Sequence, residues 1–192
     1  MWFKKKHDFE AILKKHLDRD FSVFACGEDA PDEAVLRTFE RELGFKLPDD
    51  FRDFSKSSLG GVYVEVKEDI WPRAEPFEAG PFWSFLYGLV VYGFAGDVPE
   101  WMDMRIQTEA FRRDTKSDYA PFFKVIGDVD LYCFGKDQSI SRWEHETGEF
   151  ARVDKAFVEL LDFELGELRA RKDRKKAEPR DPPDDGSQPQ RP

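Results

Sequence analysis

The hydrophobic period of this chain changes at Gly60-Gly61, and that change narrows the folds open to it. Before the glycine pair, apolar residues recur at helical spacing. Phe9, Ile12, Leu13, His16 and Leu17 share one face of a helix expected over residues 5–19, and Leu36, Phe39 and Leu43 share one face of a second. After the pair, Val62, Val64 and Val66 alternate with Tyr63, Glu65 and Lys67, the pattern of a strand with one buried face. Helices gathered ahead of strands, rather than interleaved with them, indicate an α+β chain.

Turn and cap residues divide the chain further. Pro31, Asp32 and Glu33 suit the first turn of the second helix, and Gly44 suits its left-handed end. Leu47-Pro48-Asp49-Asp50-Phe51 opens a third, short helix, with two acids at the positive end of its dipole and Phe51 and Phe54 on its apolar side. Phe21 to Cys26 is expected to be a short extended segment. Phe82 to Phe94 lacks helical spacing and is expected to form one or two buried strands bent at Gly88. Residues 97–113 are expected to be a helix capped by Asp97, with Met102, Ile106 and Ala110 on one face. Strands at Phe122–Ile126, Asp130–Phe134 and Ser139–His145 each end in a glycine turn, and a last one covers Glu149–Val153. A closing helix from Asp154 to Lys176 buries Phe157, Leu160, Leu161, Glu164, Leu165 and Leu168. The expected architecture is a single antiparallel-rich sheet with N-terminal helices and a C-terminal helix packed around it. Residues 1–176 form one domain, and residues 177–192, rich in proline, form a disordered tail.

Charge separates the classes of partner. The chain carries 30 Lys and Arg against 40 Asp and Glu, a net −10. The two ends, residues 1–24 and 169–192, are mildly basic, so residues 25–168 hold a net −15. A body of that charge repels phosphate backbones and attracts basic proteins, which makes a protein partner the expectation rather than nucleic acid. The thirteen residues from Phe82 to Phe94 are too few to span a bilayer, so no membrane partner is expected. Cys26 and Cys133 have neither a CxxC neighbour nor a histidine at metal-ligand spacing, and read as buried thiols in a reducing compartment. With no apolar leader after Met1, the cytoplasm is the expected location.

Residues able to carry catalysis are sparse. His7, His16 and His145 form no HExxH, and no GxSxG or phosphate-cradling glycine loop occurs. Carboxylate pairs such as Asp49-Asp50 and Asp128/Asp130 are explained by helix dipoles and turns. No catalytic residue, cofactor or metal is therefore expected. The basic run Arg169–Lys176 reads as a solvated helix end that complements the negative pole of the dipole. Two tryptophans sit among acids near loops: Trp71 beside Glu68 and Asp69, and Trp101 beside Asp97, Glu100 and Asp103. Aromatic anchors ringed by charge are favoured at protein interfaces. Together with Glu65, these residues form the expected partner-binding set.

The stretch from Phe39 through Glu40, Leu43-Gly44, Leu47-Pro48-Asp49-Asp50-Phe51 and Phe54, closed by Leu59-Gly60-Gly61-Val62, resembles the opening signature of the SUKH superfamily. Phe122-Phe123-Lys124-Val125-Ile126-Gly127-Asp128, Tyr132-Cys133-Phe134 and Ile140 to Glu146 resemble its core meander, and Asp154 to Leu168 resembles its closing helix. One departure is Ser57-Ser58-Leu59-Gly60-Gly61, where many members carry Asn before Gly. The family includes the yeast cell-wall-assembly regulator and bacterial immunity proteins encoded beside toxins. The resemblance implies one sheet flanked by helices, no catalytic residues, and the binding and neutralising of a cognate toxin, often a nuclease with a basic cleft. It also leaves open a regulatory scaffold of the cell-wall-assembly-regulator type, without a toxin partner.

Overall fold

A computed structural model describes residues 7–73 and 82–178. Seven strands form one antiparallel sheet in chain order: β1 (Phe21–Ala25), β2 (Val62–Val66), β3 (Gly88–Val91), β4 (Ala120–Val125), β5 (Leu131–Phe134), β6 (Ile140–Trp143) and β7 (Phe150–Val153). Among the described residues five α-helices accompany them: α1 (Phe9–His16), α2 (Glu33–Leu43), α3 (Asp49–Ser55), α4 (Met104–Thr115) and α5 (Phe157–Ala177). The expected α+β class, with N-terminal helices and a closing helix around a single sheet, is the fold observed.

Helices cover both faces of the sheet. On one face α1, α3 and α5 enclose a phenylalanine cluster. Phe51 of α3 lies edge-on to Phe122, Phe134 and Phe157, and Phe9 of α1 lies edge-on to Phe54. Edge-to-face aromatic pairs each contribute roughly 0.5–1.5 kcal/mol beyond the area they bury. A bulge in β4 sets two β4 residues against Tyr132. It turns the consecutive Phe122 and Phe123 into the interior together, one stacked on Phe134 and the other edge-on to Tyr132. On the opposite face, Phe111 of α4 packs edge-on against Trp143 and Phe150.

The Leu-Gly…Leu-Pro-Asp-Asp signature has a mechanical explanation. Gly44 ends α2 with φ of +82°, a conformation that favours glycine. The Glu40 carboxylate then reaches forward, accepting the Leu47 amide at 2.9 Å and the Arg52 guanidinium at 2.5 Å. Arg52 also bonds Glu33, so one cation ties both ends of α2 to α3. Asp50 does more than complement its own helix. Its Oδ2 accepts the Val158 amide at 3.2 Å, satisfying a free N–H in the first turn of α5, whose N-cap Ala156 has no side-chain oxygen to offer.

Three expectations are corrected. Phe82–Phe85 forms a 3-10 turn, and only Gly88–Val91 is strand. The helix expected from Asp97 begins instead at Met104. Asp103 caps it by accepting the Arg105 amide, and Pro99 and Glu100–Met102 form a separate 3-10 turn. Its buried face is Met104, Thr108 and Phe111, which leaves Ile106 outside. The basic run of α5 is not simply solvated. Lys172 is 2% exposed, its ammonium within 2.8 Å of Asp18 and 3.4 Å of Asp20, and Lys176 bonds Asp20 at 2.7 Å. These contacts fasten the end of α5 to the turn before β1. Residues 179–192, most of the expected tail, lie outside the described residues.

Candidate functional site

The proposed partner-binding residues divide into three groups. Trp71 is 4% exposed, and its indole N–H donates to the Ser84 carbonyl at 2.8 Å, so burial removes it from any surface a partner could touch. Asp103 is also buried and is neutralised by Arg105 at 2.5 Å. Its carboxyl is held below its ordinary value by those Arg105 contacts acting against burial, which by itself raises it. Glu68 and Asp69 lie in the exposed turn past the Val66 end of β2. Roughly 10 Å of strand separates that end from Tyr63. Asp97, Glu100 and Trp101 stand at the other end, where Met102 and Met104 bracket Gly93 by backbone hydrogen bonds.

At that end the structure assembles a surface. Tyr63 and Glu65 point to the same face of β2, and Trp101 meets the Tyr63 ring edge-on at 5.5 Å. Phe24 of β1 is the direct cross-strand neighbour of Tyr63. Trp101 is 51% exposed and Phe24 49%, large values for aromatic side chains. Glu65 accepts the Tyr63 hydroxyl at 2.7 Å and pairs with Arg73 at 3.0 Å, so its charge is compensated. The Tyr63 hydroxyl is pushed well above the usual phenol value, first by burial and then by Glu65.

Acids border these rings. The Gly96 amide donates to the Asp29 carbonyl, which brings the loop after β1 beside Asp97. Asp97 also lies near enough to Cys26 to help burial raise that thiol. Among the described residues, Glu28, Asp29, Asp97 and Glu100 make no ion pair. The corner therefore presents Phe24, Tyr63 and Trp101 between uncompensated carboxylates. Phe24, Glu28, Asp29 and Tyr63 were not anticipated from sequence. The direct pairing of β1 with β2 carries them into the site, and five residues such as Phe21–Ala25 do not reveal their neighbour.

The close approach that shapes this corner depends on glycine. A Cβ on Gly93 would collide with the Gly60 carbonyl, so the Gly60-Gly61 turn and the Gly93 backbone can pack together only without side chains. Cys26 and Cys133 are buried free thiols, and burial raises both. Among the described residues no group of three or more His, Cys, Asp or Glu could hold a metal ion, and no helix is long and apolar enough to cross a membrane.

Comparison with known proteins returned one family. The sequence model of the SMI1 / KNR4 family (SUKH-1) matches residues 30–162, from the turn before α2 into α5. That span holds most of the helix-and-meander body, including Tyr63, Asp97, Glu100 and Trp101. No curated protein matches the chain.

Proposed function

This chain belongs to the SMI1 / KNR4 family (SUKH-1), within a superfamily that includes toxin-immunity proteins, and from that membership we propose that it is an immunity protein that binds and neutralises a cognate toxin. The toxin is a basic protein domain, most simply a nuclease with a cationic phosphate cleft, and the immunity protein acts without catalysis. The observation that carries this reading is the corner around Trp101: an exposed aromatic cluster beside Glu28, Asp29, Asp97 and Glu100, none of them ion-paired with a described residue. Exposed rings supply contact area at low entropic cost, and unpaired acids steer a cationic partner and compete with phosphate for its cleft.

The test is co-expression with the product of the neighbouring gene, which this reading expects to carry a toxin domain. The wild type is expected to co-purify with that domain and abolish its nuclease activity. Trp101→Ala is expected to weaken binding by about 2 kcal/mol, as for an interface anchor. Asp97→Lys with Glu100→Lys should release the nuclease while the fold is retained. Recovery of a housekeeping complex without a basic domain would instead favour the regulatory-scaffold reading.

A further inference from the structure

Among the described residues β1 is an edge strand, paired with β2 on one side only. The register divides its backbone groups. Cys26 N–H donates to Gly61, and Lys67 N–H donates to Asp20. Even-numbered residues therefore face β2, while the N–H and C=O groups of Val23 and Ala25 and the C=O of Phe21 point outward. The Phe21 amide is satisfied by the Asp18 carbonyl. Edge strands are usually blunted by a lysine, a proline or a bulge. Phe-Ser-Val-Phe-Ala has none of these, and Val23 is 47% exposed. Its flanks carry opposite charges. Arg19, before the strand, and Glu28 and Asp29, after it, make no ion pair with a described residue.

We propose that β1 pairs antiparallel with β1 of a second copy of this chain, about a twofold axis at Val23, joining two seven-stranded sheets into one. Antiparallel pairing is self-complementary here. The outward groups of Val23 bond those of Val23 in the second copy, and Ala25 N–H bonds the Phe21 carbonyl of the other chain. Phe24 lies opposite Ser22, so a large side chain meets a small one. The same register carries Arg19 of each copy to the end of the strand where Glu28 and Asp29 of the other lie, so the unpaired charges match twice. Asp18, the nearest acid of like sign, is already neutralised by Lys172. The pairing is argued from the strand edge and not from the toxin reading, but the two share groups: in the dimer Glu28 and Asp29 meet Arg19, and Asp97, Glu100 and Trp101 are left for a partner.

Sedimentation velocity on the full chain across a concentration series tests it. The wild type is expected to shift from monomer to dimer as concentration rises. Val23→Pro removes an outward N–H and leaves the bonds to β2 intact, and is expected to raise the dimer dissociation constant by at least about tenfold. Val23→Lys sets two ammonium groups against each other at the axis, and should do the same if the proline variant misfolds. A wild type that stays monomeric throughout, or a dimer that a folded Val23 variant leaves unchanged, would overturn the proposal.

Discussion

At the scale of single residues, similar acidic surroundings led to different fates. Trp71 and Trp101 each stand beside acids near a loop, yet one is sealed by a hydrogen bond to Ser84 and the other lies open over Tyr63. Nothing local to either tryptophan distinguishes them, because the difference is made by chain segments remote in sequence. Glu40 is the opposite case. Its place in the Leu-Gly…Leu-Pro signature marked it from sequence, and the structure gives the reason: one carboxylate holds both the Leu47 amide and Arg52. Glu40→Ala leaves a mostly buried guanidinium short of a partner, and is expected to lower the unfolding free energy by about 3 kcal/mol. Glu40→Gln keeps an acceptor for Leu47 and should lose less. Urea denaturation of the two variants checks the order.

At the scale of elements, boundaries follow caps, and caps explain where sequence reading held and where it slipped. The strand at Val62–Val66 was legible because its alternation is strict and a glycine pair precedes it. The start of α4 was not, because Asp97 and Asp103 both precede apolar residues and only Asp103 accepts a first-turn amide. Helix α5 was legible as a helix, but the use of its charges was not. Glu164 lies buried, with the Tyr132 hydroxyl donating to it at 2.6 Å. Burial raises its carboxyl above the ordinary 4.5, while Tyr132, Arg171 and Arg142 pull the other way. A carboxyl raised in the folded state binds more protons there than in the unfolded chain. Its contribution is complete below the unfolded value and is lost as pH rises through the folded one. Asp18 and Asp20 run in the opposite sense. Lys172 and Lys176, respectively, are the main causes that hold them low, so their contribution is present above the unfolded value and lost as pH falls through the folded one. Glu164→Gln should therefore gain stability relative to the wild type as pH rises from about 4 to about 7. Chemical denaturation at both pH values measures this, and a pH-independent difference would contradict it.

At the scale of the whole molecule, the sign of the charge was legible in the sequence and its distribution was not. Many acids are spent inside the fold. Glu33 and Glu40 hold Arg52, Asp128 and Asp130 hold Arg142, and Asp18 and Asp20 hold Lys172. The carboxylates left uncompensated around Trp101 form the proposed face, and a face of one sign steers association in a way that added salt screens. The direct measurement is the association rate constant with the basic toxin domain that the proposed function expects as partner, as a function of ionic strength, for the wild type and for Asp97→Lys with Glu100→Lys. The account predicts a wild-type rate that falls by about tenfold or more between low and high salt, and a slower, flatter dependence in the double variant. Equal rates and equal salt slopes for the two proteins would contradict it.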